Sequence, residues 1–286
     1  MPRFAGRTFR SWFADHPARD GTPVLLWVDT FTDYFTPETG RAAVRVLEAA
    51  GYAVQVTSRP ACCGLTWIST GQLDGARRQL RRSLGLLAPA LRAGIPVVGL
   101  EPSCTAVLRG DLAELLPGDP RAGQVRAATR TLAELLADWT PPDLGGVRAV
   151  AQPHCHQHAV MGWHADAALL ARAGAQVEAV GGCCGLAGNF GVERGHYEVS
   201  LAVAETALLP AVRRAPRDAV VLADGFSCRT QLGQLAGVRG VHLAELLASR
   251  LDGVRLPGRH AGTFVVRFGG GGGPAGSVRP RPARAR

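Results

Sequence analysis

Lysine is missing from this 286-residue chain, so all 32 basic residues are arginines, a bias that reflects genome composition rather than function. Also missing is any uncharged apolar run of the roughly 18 to 20 residues that a bilayer-spanning helix needs. The first ten residues carry positive charge with no apolar stretch behind them, so a secretory leader is not expected. The expected location is cytoplasmic, peripheral to a membrane at most. Acidic residues are absent from 253–286, where seven arginines lie, and this leaves only +2 of the net +9 charge for residues 1–252. That tail also holds five consecutive glycines from Gly269 to Gly273. It buries too little apolar surface to offset its ordering entropy and reads as a disordered basic tail. A nucleic-acid partner is not expected.

What is present is ordinary globular material. Hydrophobic residues make up 47% and charged residues 19%, enough to bury a core in one large domain or two of usual size. Seven cysteines stand out. An odd number, with no leader, argues against a disulfide framework and for reduced thiols or metal ligation.

The chain repeats itself. Ala61-Cys62-Cys63-Gly64-Leu65 returns as Gly182-Cys183-Cys184-Gly185-Leu186, and Pro102-Ser103-Cys104 returns as Phe226-Ser227-Cys228. Short buried strands are expected at Val24 to Val28 and Val147 to Ala151. Helical stretches follow around 38–50 and 162–173, each ending in Ala-Gly, the common helix stop. Second strands (Ala53 to Thr57, Gln176 to Val180) lead into each Cys-Cys-Gly, and third strands (Pro96 to Leu100, Ala219 to Ala223) precede each last cysteine. Alternating strands and helices predict an α/β fold: two tandem repeated domains with mainly parallel sheets and cysteines at the strand C-terminal ends, where open sheets bind ligands. The expected divisions are an N-terminal arm or linker over 1–19, a first domain over 20–140, a second over 145–252 and the tail over 253–286. Pro141 to Gly146 is the linker between the two domains.

In the second copy Cys155, Cys183, Cys184 and Cys228 come from three separate loops. Zinc motifs normally separate their ligands by two to four residues, so the adjacent pair suits a single tetrahedral ion poorly. A cluster offers a separate iron to each sulfur, and iron–sulfur ligation is therefore favoured over zinc. Gly182 and Gly185, with Gly181, Gly188 and Gly191, clear side chains from the backbone so that amide N–H groups can approach a bulky anion. His154 and His156 flank Cys155, placed to donate to a cluster sulfide or couple a proton rather than to ligate. The first copy is incomplete. It has Cys62, Cys63 and Cys104, a possible second metal site, but Asp29-Thr30-Phe31-Thr32-Asp33 stands where a fourth thiol belongs. Asp29 or Asp33 would be a hard, rare partner for such a cluster.

These motifs resemble the cysteine-rich (CCG) domain family, which includes the B subunit of heterodisulfide reductase and the iron–sulfur subunits of glycolate and glycerol-3-phosphate oxidation systems. Asp29-Thr30-Phe31-Thr32, Leu100-Glu101-Pro102-Ser103-Cys104, His154-Cys155-His156 and Asp224-Gly225-Phe226-Ser227-Cys228 are similar to the C-terminal module of bacterial FAD-linked oxidases and D-lactate dehydrogenases. Arg3-Phe4-Ala5 and Thr8-Phe9-Arg10 resemble the linker upstream of it. The resemblance covers about 20–252. It implies an iron–sulfur electron-transfer module, with a 4Fe-4S cluster, serving an FAD-linked oxidoreductase of a 2-hydroxyacid such as lactate or glycolate and passing electrons toward a membrane acceptor. No catalytic residue is then expected in the chain itself. The family's Cys-x-x-Cys ends in Val107 and Gln231 here, which argues against the five-cysteine site of heterodisulfide reductase. Neither a flavin-binding segment nor a ferredoxin-type Cys-x-x-Cys-x-x-Cys run occurs, so FAD and a ferredoxin-like domain are expected on a partner chain or an upstream domain. Two alternatives stay open: a cluster-based thiol–disulfide reductase, and a redox-inactive zinc or structural interaction domain.

Overall fold

Valine-rich segments of three to six residues, each followed by a helix, can pair only in parallel, because a crossover helix returns the chain to the same edge of the sheet. The computed structural model, which describes residues 2–253, shows this arrangement twice. The first half runs α1 (Phe9–Ala14), β1 (Thr22–Trp27), α2 (Thr30–Tyr34), α3 (Pro37–Ala49), β2 (Tyr52–Val56), α4 (Leu65–Ser69) and α5 (Leu73–Arg92). It continues with β3 (Val97–Gly99), α6 (Pro102–Arg109), α7 (Asp111–Leu115), α8 (Pro120–Ala128), β4 (Thr129–Thr131) and α9 (Leu132–Leu135). The second half runs β5 (Arg148–Ala151), a π-helical turn (Gln157–Met161), α10 (His164–Arg172), β6 (Gln176–Ala179), a 3₁₀ turn (Phe190–Val192), α11 (Tyr197–Thr206) and α12 (Leu208–Arg214). It closes with β7 (Val220–Leu222), α13 (Phe226–Ala236), β8 (Gly240–Val241) and α14 (Leu243–Leu251).

Two four-stranded, all-parallel sheets result, ordered β2-β1-β3-β4 and β6-β5-β7-β8. The six strands expected from the sequence are present within a residue or two of their bounds. The fourth strand of each sheet has only two or three residues and carries no periodicity to read. In both sheets the chain order reverses between the first and third strands, and the crevice beyond the C-terminal ends of two such strands is where open α/β sheets seat ligands. Position 29 and Cys104 follow β1 and β3; Cys155 and Cys228 follow β5 and β7.

The core is shared across the repeat. One apolar cluster joins Val24, Leu26, Leu47 and Val98 of the first half to Val147, Leu169, Leu246 and Leu247 of the second. The last helix, α14, packs on α3, and Thr39 donates its hydroxyl to Glu245 at 2.6 Å across that contact. The linker is tied down: Leu144 is fully buried and its N–H donates to the Ala173 carbonyl. The N-terminal arm is tied down as well. Phe9 is buried, and Arg10 donates to the carbonyl and hydroxyl of Thr57. The expected basic tail from 254 onward lies outside the described residues. Among the described residues no helix is long and apolar enough to cross a membrane.

Candidate metal centre

Local rules place the second-copy cysteines. Cys155 lies four residues past the end of β5, where a helical turn begins. Cys183 and Cys184 occupy the loop after β6, whose course depends on glycine: Gly182 and Gly185 have φ of +86° and +89°. A Cβ on Gly185 would sit 2.2 Å from the Ser200 carbonyl oxygen, so no other residue fits there. Cys228 lies in the first turn of α13. The three segments bring the thiols close enough to act on one another's charge: Cys155 on Cys183, Cys183 on Cys184, and Cys184 on Cys228. The four thiols singled out in the sequence are therefore neighbours in space. Cys184 and Cys228 are buried and Cys155 is exposed, so the group opens to the surface on one side.

Charge is unevenly held among these thiols. Hydrogen bonds from Cys155 and then Cys184, aided by the Gly185 N–H at 3.3 Å, hold the Cys183 thiol far below the usual range. Cys155 and Cys184 are pushed up, in each case chiefly because each donates to Cys183. Cys183 is thus the thiolate of the group, the form in which a cysteine binds metal. The first copy repeats the backbone contact, with Gly64 N–H 3.4 Å from Cys62 Sγ, but not the charge. Cys63 and Cys104 are in contact at 3.1 Å. Donation to Cys63, then burial, drives Cys62 up; donation to Cys104 drives Cys63 up. For Cys104 the hydrogen bond from Cys63 lowers the thiol, but burial with Asp29 and Glu101 outweighs it and leaves the thiol at about 11. The first trio rests as neutral thiols.

The candidate fourth ligands of the first copy are committed elsewhere. Asp29 Oδ1 accepts from the N–H groups of Phe31 and Thr32 at 2.8 and 2.9 Å, and Oδ2 accepts from the Thr32 hydroxyl at 2.6 Å, making Asp29 the N-cap of α2. Burial, then the nearby Glu101, raises its carboxyl to about 6. Asp33 accepts from the Arg10 backbone at 3.0 Å. The positions that end the family's Cys-x-x-Cys are filled as core: Val107 is fully buried, and Gln231 donates to the Ser200 hydroxyl at 2.9 Å.

His154 and His156 stand beside Cys155 as the sequence suggests, in different roles. His154 is buried, and burial, then His156, lowers it to about 4, so it is neutral at physiological pH. Its Nδ1 accepts from the His156 N–H at 3.2 Å, Nε2 faces the Ser227 hydroxyl at 3.4 Å, and the ring fills the space a Cβ on Gly225 would need. It positions the Cys155 and Cys228 turns against each other. His156 instead has a buried Nδ1 with no hydrogen-bond partner, an imidazole nitrogen left for a group at the site. Four convergent thiols, one held as thiolate, an amide N–H on sulfur and an orphaned imidazole nitrogen together fit an iron–sulfur cluster, whose sulfurs accept such bonds. Among the described residues no three His, Cys, Asp or Glu side chains are arranged to hold a single ion.

Sequence reasoning missed three neighbours. Gln152 is buried and donates its amide to the Gly182 carbonyl at 2.9 Å, bracing the cysteine loop. Asp166, inside α10, is buried. Glu101 reaches from the first copy to the second, where its Oε2 accepts from the Phe226 N–H at 2.8 Å. A legible signal existed only for Glu101, in the Glu-Pro-Ser that opens α6 and lies in a motif already noted.

Residues 29–109 match the family described as the cysteine-rich domain. The chain is 29% identical over 262 residues to a subunit of the anaerobic glycerol-3-phosphate dehydrogenase of Escherichia coli (strain K12), covering 88% of this chain and 65% of that protein. It is 30% identical over 228 residues to the D-2-hydroxyglutarate dehydrogenase of the same strain, covering 78% of this chain and 22% of that protein. It is 26% identical over 245 residues to lactate utilization protein A of Bacillus velezensis, covering 79% of this chain and 99% of that protein. The chain thus spans less than two thirds of the first two relatives. The chain thus carries the cysteine-rich (CCG) domain over residues 29–109, and the second parallel sheet bears a matching Cys-Cys-Gly loop.

Proposed function

We propose that this chain is an iron–sulfur electron-transfer module of an FAD-linked oxidoreductase acting on a 2-hydroxyacid, with a 4Fe-4S cluster on Cys155, Cys183, Cys184 and Cys228. The observation that carries it is that Cys155, Cys183, Cys184 and Cys228, from three separate segments, are neighbours in space, with the Gly185 N–H on Cys183 Sγ. When bound, the cluster supplies one-electron redox chemistry. The chain's own part is to provide the thiolates, to bury Cys184 and Cys228, and to set amide and imidazole donors against sulfur, the levers that tune such a centre. Two relatives named for 2-hydroxyglutarate and lactate support the substrate class, and a third, named for glycerol-3-phosphate dehydrogenation, supports the oxidoreductase setting. The flavin, and a ferredoxin-like domain, belong on a partner chain or another part of a longer protein; electrons pass to a membrane carrier or another acceptor, and the location is cytoplasmic. Residues 20–140 and 145–252 are its two domains. The three neutral thiols of the first copy take a structural role, and no residue of this chain turns over substrate.

Anaerobic purification, with iron, sulfide and zinc quantification and electron paramagnetic resonance after dithionite reduction, tests this. About four irons and four sulfides per chain, with a signal on reduction, are expected. Zinc alone, or no metal after reconstitution, would overturn it.

A further inference from the structure

Behind the cysteine loop, between the ends of β5 and β7 and the first turn of α10, lies a cavity of about 20 Å³. That is room for one water, which needs roughly 10 to 15 Å³. Gln152, Gln157, Asp166 and Asp224 line it together with apolar Trp163 and Leu243. Gln152 is 2% exposed, and although its amide nitrogen donates to the Gly182 and Pro153 carbonyls, its Oε1 is buried with no donor. Asp166 is 3% exposed, and its Oδ2 accepts from Gln157 Nε2 at 3.0 Å. Asp224 Oδ1 accepts from the Leu243 N–H at 2.8 Å.

The donors and acceptors count out to one occupant. Burial, then the charge of Asp224, raises the Asp166 carboxyl to about 8, so it carries a proton at neutral pH and offers an O–H. Gln152 Oε1 lacks a donor, and the Asp224 side chain, whose Oδ1 already accepts from Leu243, lines the same cavity. A water that accepts from Asp166 and donates to both makes three hydrogen bonds, the usual number for a buried water. The other charged groups around it are placed as follows. Glu134 of α9 adds negative potential, His242 stands 3.7 Å from Asp224 Oδ1, Arg229 is bonded to the Asp224 carbonyl, and the buried His154 feels the Asp224 charge. Arg172 of α10 donates to the Leu136 carbonyl, and Glu178 of β6 faces solvent near Arg214.

We propose that this cavity is a proton-holding site, in which one buried water joins Gln152, Asp166 and Asp224 and whose proton occupancy follows the charge on the adjoining cysteine centre. Gln152 makes the link, since one side chain bonds both the cysteine loop and the cavity. Each reduction adds one electron to the cluster, supplied by reduced flavin or by dithionite in the test. Where Asp166 is ionised, one proton from solvent joins its carboxylate; only an O–H bond forms, and reoxidation releases it. The linkage rests on the iron–sulfur reading above; the buried acid does not.

Two measurements on the full chain test this. Infrared difference spectroscopy of the metal-free protein is expected to show a protonated carboxyl band at pH 7 that is lost as pH rises through about 8, and that is missing in Asp166→Asn. No such band, or one unchanged in Asp166→Asn, overturns the site. Potentiometry of the reconstituted protein is expected to give a midpoint flat below about pH 8, where Asp166 is protonated in both oxidation states. Above that, the midpoint should fall by about 59 mV per tenfold change in proton activity, one proton per electron. The fall should vanish in Asp166→Asn and weaken in Gln152→Met, a second variant in case the first does not fold. A band with a pH-independent midpoint overturns the linkage. Failure to assemble any cluster overturns the electron-transfer reading and the linkage with it, while the band alone decides the buried acid.

Discussion

Glu101, at the end of the third strand of the first sheet, caps a helix of the second: its Oε2 accepts the Phe226 N–H at 2.8 Å while Oε1 accepts the Ser103 hydroxyl at 2.8 Å. Phe226 opens α13, whose first-turn N–H groups have no intrahelical acceptor, and α13 carries Cys228. Phe31 of the first half stacks on the same Phe226 at 4.5 Å. Glu101→Ala leaves a buried N–H and hydroxyl unpaired, and is expected to cost about 2–3 kcal/mol, as for hydrogen bonds to charged groups. Glu101→Gln should recover part of that. Equal urea midpoints for wild type and Glu101→Ala would show the contact to be without weight.

Because one apolar cluster spans both halves, the two domains are expected to unfold together. Leu47→Ala and Leu247→Ala, at fully buried positions on either side of the α3–α14 contact, should each lower stability by about 2–5 kcal/mol. Each variant should keep a single transition whether followed by tryptophan fluorescence or by circular dichroism. Two separated transitions in the wild type would contradict the shared core.

The two cysteine groups are expected to behave differently. Cys183→Ser and Cys184→Ser should lose iron and visible colour after reconstitution. Cys62→Ser should keep both, since its trio rests as neutral thiols. Full iron in both second-copy variants would remove the assignment of the cluster to that site.

Gly185→Ala should strain the loop twice over. Its φ of +89° disfavours any side chain by about 1–2 kcal/mol, and the new methyl would strike the Ser200 carbonyl. Gly182→Ala shares the unfavourable φ but opens onto free space. The expected result is a larger stability loss for Gly185→Ala, with a rise in the pH at which Cys183 reacts with a thiol reagent, since its amide donor is displaced. Equal behaviour of the two variants would dismiss the close approach.

Asp29 gives the metal-free protein a pH signature. Its carboxyl is at about 6 when folded, against an ordinary 3.8, so between those values the folded state holds more proton than the unfolded. Its contribution is therefore full below about pH 4 and is lost as pH rises through about 6, a change on the order of 3 kcal/mol. Asp29→Asn keeps a capping side chain and should flatten this region of the stability profile. A wild-type urea midpoint that rises from pH 4 to 6 by more than that of Asp29→Asn would reverse the sign and exclude it.

The sequence alone determined the repeat, six of the eight strands, the helix stops at Gly51 and Gly174 and the four thiols of the second copy, because each rests on local rules: buried apolar runs, left-handed glycine and cysteine spacing. β4 and β8 were not legible: Thr129-Arg130-Thr131 and Gly240-Val241 lack the consecutive apolar run that marks the similarly short β3 and β7. Tertiary structure alone decided which thiol carries charge, because Cys183 is lowered by donors from Cys155 and Cys184, brought together by two different strands. It also decided that Asp29 and Asp33 are spent on backbone N–H groups, that Glu101 caps the helix bearing Cys228, and that Gln152, Asp166 and Asp224 line one cavity. Hydrogen bonds and burial depend on distance in space, which residue spacing along a chain does not fix.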